Sequence, residues 1–371
     1  MFHLIFSLPG WYVIARFIAP LSLPLALKIV LSLLALLATQ YLLVSRFTSG
    51  SIFSPEMPRT AIILFNWAFC VVLFLAFAQL LIDAVTLISL LLRHPVTIIP
   101  GVRYLAALLA IGFATYGVQQ AIRVPALKDV TLEVAGLPQA FEGYQILQLT
   151  DLHITRLFNA RWTAELVRQA NALNVDLIVV TGDVIDGTLA NRRKDVEPLR
   201  GLHARDGILA ITGNHEYFFE QQAWTEYLAS LGLNPLLNRH AVIARGPANL
   251  VIAGLTDASA SARGADGPDL AQALKGAPEN APVVLLDHQP RNARKNATHG
   301  VDIQLSGHTH GGLIAGFDRL FARPNGGFVS GLYDVDGMQL YVNNGTGLWP
   351  GMAVRLGRPS ELTRITLTRK K

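Results

Sequence analysis

The sequence predicts a helical membrane region followed by an α/β domain. Three observations predict it. Apolar runs long enough to span a bilayer are confined to residues 1–123. From residue 124 onward, short β-rich runs alternate with helical patterns. Several of those β runs end in clustered Asp, His and Asn beside glycine.

The elements can be justified in chain order. Residues 26–45 (LALKIVLSLLALLATQYLLV) are apolar for the length of one span. Residues 61–92 are longer and must tilt, kink or extend beyond the lipid. Residues 104–122 form a third candidate span. Residues 2–19 are interrupted by Pro9, Gly10 and Arg16 and read either as a short fourth span or as an interfacial segment. A cleaved signal peptide fits poorly, because more apolar runs follow and no basic stretch precedes. Asp83 lies inside the long run, where an acid marks either a functional group or the approach to a span end. The domain boundary is expected at 123/124, giving a helical region over 1–123 and a catalytic domain over 124–371.

Of the 371 residues, 51% are hydrophobic and 15% charged, with a net charge of +5. Residues 1–123 hold seven of the 31 basic residues and two of the 26 acids, Glu56 and Asp83. The remainder is therefore balanced, with 24 of each sign. The positive charge flanks apolar runs, a membrane pattern, and the balanced domain argues against a nucleic-acid partner. Basic residues divide evenly between the two sides of a four-span arrangement and set no orientation. Cys70 is the single cysteine, so an intrachain disulfide and a thiolate zinc site are excluded.

In the second region QILQLT (145–150), DLIVVTG (176–182), GILAITG (207–213), LVIAGL (250–255), PVVLLD (282–287), DIQLSG (302–307) and QLYVNN (339–344) read as buried strands. A helix is expected at about 160–173, with Trp162, Leu166, Val167, Ala170 and Leu173 near one face.

Five of these strands run into polar residues competent to bind metal. They are Asp151-Leu152-His153, Gly182-Asp183-Val184-Ile185-Asp186, Gly213-Asn214-His215-Glu216, Asp287-His288, and Gly307-His308-Thr309-His310-Gly311-Gly312. In open α/β sheets the functional crevice lies beyond the carboxyl ends of the strands, so five distant loops would converge there. Carboxylates, imidazoles and one amide, without thiolate, suit manganese, iron, zinc or magnesium. Any one motif alone is ordinary loop chemistry. The set in this order is not. The remaining histidines (His3, His94, His203, His240 and His299) fall outside it and read as surface or packing residues.

Asp-x-His, Gly-Asp-x-x-Asp, Gly-Asn-His-Glu, a later His and Gly-His-x-His together resemble the calcineurin-like metallophosphoesterase superfamily. The likeness covers about residues 124–371. It is nearest the membrane-associated branch, whose tail Asn344-Gly345-Thr346-Gly347 followed by RLGRPSE (355–361) also resembles. The resemblance implies a four-layer α/β/β/α sandwich and two divalent cations, manganese first, with iron, zinc or magnesium as alternatives. It implies that Asp151, His153 and His310 hold one metal, that Asn214, His288 and His308 hold the other, and that Asp183 bridges them. His215 would be the catalytic group facing the phosphate, with Asp186 and Glu216 orienting the ligands.

The implied activity is hydrolysis of phosphodiester or pyrophosphate bonds, on a lipid-linked substrate such as UDP-2,3-diacylglucosamine. Tyr217-Phe218-Phe219 and Trp349 would provide an apolar wall or ordinary packing. The expected setting is a multi-pass protein of a bacterial inner membrane, with the bilayer and a phosphorylated small molecule as partners. A general phosphodiesterase of the same fold and a non-catalytic membrane receptor or scaffold are the competing readings. The intact ligand set argues against the last.

Overall fold

The computed structural model describes residues 2–370. It divides into two compact units. The first runs through Ala121 and is joined by Trp349–Leu356; the second comprises Ile122–Leu348 and the stretch from Gly357 onward.

The first unit is helical. Its helices are α1 (Phe2–Tyr12, continuing as a π-helical turn over Val13–Ile18), α2 (Leu25–Thr39), α3 (Tyr41–Ser49), α4 (Arg59–Leu91) and α5 (Pro100–Ile122). Pro24 and Pro58 precede α2 and α4, and Pro100 opens α5. At a helix start the missing N–H of proline costs nothing. The 33 residues of α4 reach about 50 Å at 1.5 Å per residue, beyond a hydrocarbon layer of about 30 Å. α4 and α5 are long and apolar enough to cross a membrane. α2 and α3 meet at 51° with Gln40 at the break, so the run expected as one straight span is a bent pair. Leu4–Ile18 is apolar but shorter than a span.

Leu64, Leu80, Leu108 and Phe113 lie more than half exposed on α4 and α5, as lipid-facing side chains do. The buried face of α5 carries Ala110, Ala114, Gly117 and Ala121, small residues that let helices approach closely. Trp349–Leu356 is tied into this unit. Tyr41 Oη and Asn66 Nδ2 donate to the Pro350 carbonyl at 2.8 and 2.9 Å, Ala353 N–H donates to Asn66 Oδ1 at 2.6 Å, and Arg355 N–H donates to Gly117 O at 2.9 Å.

The second unit contains β1 (Leu127–Val134), β2 (Gln145–Leu149), α6 (Ala160–Asn171), β3 (Leu177–Thr181), α7 (Leu189–Val196), β4 (Ile208–Ile211), α8 (Gln221–Ser230), β5 (Asn234–Pro235), β6 (Arg239–Arg245) and β7 (Ala248–Gly254). It continues with α9 (Leu270–Leu274), β8 (Val283–Leu286), α10 (Ala293–Ala297), β9 (Ile303–Ser306), α11 (Asp318–Ala322), β10 (Gly331–Val335), β11 (Met338–Val342) and β12 (Leu362–Arg369). The strands form two sheets, ordered β1-β12-β2-β3-β4-β5 and β10-β11-β9-β8-β7-β6. β2 to β5 run parallel to one another, as do β7, β8, β9 and β11.

The sheets face each other across a core. Ile146, Leu177, Val179 and Ile365 come from the first, and Leu250, Ile252, Val284, Leu286 and Leu305 from the second. Side chains alternate across a strand. Val251, Ala253, Val283 and Leu285 therefore point outward, where they pack with Ala273 of α9 and Ala293 of α10. Leu147, Ile178 and Val180 take the outer face of the first sheet and are fully buried. On α6, Trp162, Leu166, Val167 and Ala170 form the buried face. This is the expected α/β/β/α sandwich.

Each strand expected from sequence is present. β1, β5, β6, β10 and β12 are strands beyond those expected from sequence.

Candidate metal centre

The parallel arrangement sends the carboxyl ends of β2, β3, β4, β8 and β9 to one edge of the sandwich. Cross-links then draw their loops together. Asp151 N–H donates to Gly182 O at 3.0 Å, His153 N–H to Asp183 O at 3.0 Å, and Gly307 N–H to His288 O at 3.0 Å. Between the sheets, Gln148 Nε2 donates to Ser306 O at 3.1 Å.

The structure brings the seven expected ligands together in two groups. Asp151, His153 and His310 form one. His153 Nε2 lies 3.2 Å from His310 Nε2, and Asp151 Oδ1 lies 3.5 Å from His310 Nε2. Asp183, His288 and His308 form the other. Asn214 Oδ1 joins it, 3.2 Å from His288 Nε2 and 2.8 Å from His308 Nδ1. Asp183 touches both groups. Its Oδ2 is 3.7 Å from His153 Nε2 and 3.2 Å from His288 Nε2.

Two ring orientations are fixed from behind. His153 Nδ1 sits 2.9 Å from Asp186 Oδ2, and His288 Nδ1 sits 2.8 Å from Thr181 O. Both partners are acceptors, so each Nδ1 carries hydrogen and each Nε2 turns to the cluster. Such outer partners hold metal-binding imidazoles in place. Five of the seven, Asp151, His153, Asp183, His308 and His310, hold positive φ angles of 52°, 44°, 52°, 71° and 49°. Side chains rarely adopt that region, and residues that do collect at functional sites. Gly213 and Gly307 are required by close approach: a Cβ at either would overlap a carboxylate oxygen, of Asp183 and of Asp151 respectively.

The electrostatics call for positive charge. Asp151 and Asp183 are almost wholly buried. Their ion-pair partners among the described residues are imidazoles, at 3.2 to 3.9 Å. Burial alone would disfavour a proton on His288, yet Asp183 and Asp151 pull its pKa well above the usual value. Burial, with His288 beside it, pushes His308 down to about 4. One buried imidazole is thus drawn to bear charge and its neighbour is kept a neutral donor. Divalent cations would supply that charge and take up the convergent nitrogen and oxygen lone pairs, so the donor set fits a metal pair.

His215 stands beside the cluster with its backbone N–H donating to Asp183 Oδ1 at 2.8 Å. Its Nδ1 bonds to Asp186 Oδ1, leaving Nε2 on the opposite side of the ring. Burial lowers its pKa, but Asp186 and Asp183 outweigh that and lift it to about 9. Asp186 therefore serves both His153 and His215. Glu216 accepts the backbone N–H groups of Gly213, Val184 and Asp183 at 2.6, 2.8 and 3.0 Å, clamping two ligand loops. The Phe218 ring packs on His215 at 4.9 Å, and Tyr217 is buried with its hydroxyl 3.1 Å from Thr212 Oγ1. Trp349 belongs to the helical unit, where it packs on Phe53 at 5.8 Å.

One acid went unread in the sequence. Asp257 follows β7, is almost fully buried, and accepts Gln289 Nε2 at 2.9 Å, one residue from His288. Its signal was an acid just beyond a strand end, as in four of the five loops. The tail braces the site too, since Thr346 and Gly347 donate their N–H groups to Thr150 O and Asp151 O at 2.8 and 3.0 Å.

Comparison with known proteins agrees with this geometry. The family model for calcineurin-like phosphoesterases matches residues 144–312, which contain all seven residues. A metallophosphoesterase of Helicobacter pylori is 32% identical over 269 residues, 72% of this chain and 70% of that one. The chain belongs to the calcineurin-like metallophosphoesterases. This metallophosphoesterase is also 33% identical over 272 residues to a transmembrane protein with metallophosphoesterase domain from Danio rerio. The match covers 71% of this chain but only 62% of that protein. Among solved structures, the NAD nucleotidase of Haemophilus influenzae aligns over 56% of this chain and 45% of its own. Its identity of 16% and TM-score of 0.36 carry no argument. Members of the family use a dinuclear metal centre. The chain thus joins a metallophosphoesterase domain to helices long and apolar enough to cross a membrane.

Proposed function

We propose that this metallophosphoesterase hydrolyses phosphodiester or pyrophosphate bonds of lipid-linked substrates, with UDP-2,3-diacylglucosamine as the specific candidate. The observation that carries the reading is Asp183, whose Oδ2 faces a ligand group on either side. Asp151, His153 and His310 would hold one cation, and Asn214, His288 and His308 the other. Asp183 would be shared between them. When bound, the pair supplies an activated hydroxide and neutralises charge on the phosphoryl oxygens. Manganese is the first candidate, with iron, zinc or magnesium as alternatives.

The chain's own residues do the rest. Asp186 holds His153 and His215 by their Nδ1 atoms. His215 would give a proton from Nε2 to the leaving oxygen, a step worth about 10²–10⁴-fold. Support for a lipid-linked substrate is the presence, in the same chain as the site, of apolar helices long enough to cross a bilayer. α4, α5 and the bent α2–α3 pair would make a multi-pass anchor in a bacterial inner membrane. The balanced charge of residues 124–371 argues against nucleic acid.

The test uses detergent-solubilised protein. A chromogenic phosphodiester should be turned over with manganese and not with chelator, and Asp183→Ala should abolish turnover and lower bound metal. Full activity in that variant would refute the assignment. UDP-2,3-diacylglucosamine should be cleaved faster than the same nucleotide sugar without acyl chains. Equal rates would remove the lipid from the proposal.

A further inference from the structure

The loop after β7 flanks the metal centre. Near its start, Asp257 accepts Gln289 Nε2 on both oxygens at 3.0 and 2.9 Å, next to His288, and accepts the N–H and Oγ of Ser259 at 2.7 and 2.6 Å. Ala260 is fully buried, and the N–H groups of Arg263 and Ala265 donate to its carbonyl at 2.9 and 3.1 Å, so the loop closes on itself. Its far end reaches Phe218. The Arg263 guanidinium lies over that ring, 5.3 Å from its centre, and the same ring packs on His215 at 4.9 Å. A loop anchored beside His288 thus delivers a cation close to His215. Rigidly based loops of this kind are where binding groups collect.

Arg263 is exposed and has no carboxylate partner among the described residues. Asp257, in the same loop, is already engaged by Gln289 and Ser259. Stacking occupies the flat face of a guanidinium and leaves its N–H edge, which matches the paired oxygens of a phosphoryl group. Arg193 also lies over a ring, Tyr227, at 4.9 Å, but that ring packs on Trp224 and its hydroxyl bonds to Glu197. The Arg263 stack differs in ending on an imidazole of the site. His215 would serve the leaving oxygen, and Arg263 is linked to His215 through Phe218. An anion held by Arg263 therefore belongs to the leaving group rather than to the attacked phosphoryl.

We propose that Arg263 is a substrate-binding residue that takes a second phosphoryl group on the leaving side, so that the centre prefers diphosphate diesters to simple phosphodiesters. The proposal rests on the hydrolase reading and on His215 as the proton donor. Water adds across the bridge between the two phosphoryl groups. Its oxygen bonds to the attacked phosphorus, and the bridging oxygen leaves on the second phosphoryl with the proton from His215. The proton that water gives up restores His215 through solvent, and two phosphate monoesters result.

The experiment compares two probes that release the same product. The p-nitrophenyl esters of UMP and of UDP carry one and two phosphoryl groups, and cleavage beside the uridine phosphate yields UMP from both. UMP is measured by chromatography, with full-length protein in detergent and manganese in excess. Arg263→Ala should lower kcat/KM about 10–100-fold more for the UDP ester than for the UMP ester, the worth of charge-assisted hydrogen bonds. Arg263→Lys keeps the charge but not the fork and should fall between. Arg193→Ala, the same stacked side chain elsewhere, should leave the ratio of the two substrates as in the natural protein. Because Arg263 is exposed, its substitution leaves the core intact, and circular dichroism checks this. Equal losses on both esters, no loss on either, or a ratio that falls as far in Arg193→Ala would overturn the proposal. If the natural protein releases UMP from neither ester, the hydrolase reading fails and binding decides for Arg263. α,β-Methylene UDP, which cannot be cleaved between its phosphoryl groups, should then bind the natural protein about 10–100-fold more tightly than Arg263→Ala by calorimetry. Equal affinity would overturn the proposal.

Discussion

Asp186 accepts from His153 on one oxygen and from His215 on the other. One carboxylate thus orients a candidate ligand and the candidate proton donor together. Asp186→Asn keeps the shape but cannot accept from both rings equally. Metal affinity or turnover should fall about 10–100-fold, as for other outer partners of metal-binding histidines. Unchanged metal content and rate would show that Asp186 orients neither ring. His215→Ala should separate the two roles, retaining metal while losing about 10²–10⁴-fold in rate. Loss of metal along with rate would instead make His215 part of the cage. At this scale the sequence was largely legible, because each ligand-bearing loop announces itself as a polar cluster after an apolar strand. Asp257 obeys the same pattern but stands alone, without a histidine or a neighbouring glycine, so nothing separated it from ordinary loop acids. The left-handed backbone at Asp151, His153 and Asp183 left no mark in composition, since tertiary packing imposes it.

Among the elements, the central strands were readable and the outer ones were not. β3 reads LIVVT and is buried at every position, an unbroken apolar run. β1 lies at a sheet edge with most of its residues partly or wholly exposed, and Lys128, Asp129 and Glu133 break its pattern. β12 does alternate, as LTRITLTR, but threonine and arginine on its outer face hide the signal. The β10–β11 hairpin turns through Asp336 and Gly337, both at positive φ, which is a recognisable turn pair. The loops after the strands carry their own constraint. Gly213→Ala would drive a methyl into Asp183 Oδ1. The expected outcome is a folded protein with at least about ten-fold weaker metal binding, read by metal titration alongside circular dichroism. Undiminished affinity would mean that the loop has room to shift.

Across the whole molecule, the change in character near residue 123 was visible in hydropathy and charge. The return of Trp349–Leu356 to the helical unit was not. Its bonds join residues 238 to 309 positions apart, and no local pattern encodes such pairing. Asn66 is the key: fully buried, it both donates to Pro350 O and accepts from Ala353 N–H. Asn66→Ala strands the Ala353 N–H and leaves the Pro350 carbonyl with Tyr41 as its remaining side-chain donor; it should cost about 1–3 kcal/mol, seen as a lower melting temperature in detergent. An unchanged melting temperature would mean that water replaces the amide.

The central claim is that two cations share Asp183, and metal content tests it most directly. Elemental analysis of active purified protein should find two divalent ions per chain, with metal and turnover falling together in Asp183→Ala and after chelation. Active protein holding no divalent metal, or an Asp183→Ala variant with full metal content and full rate, would contradict it.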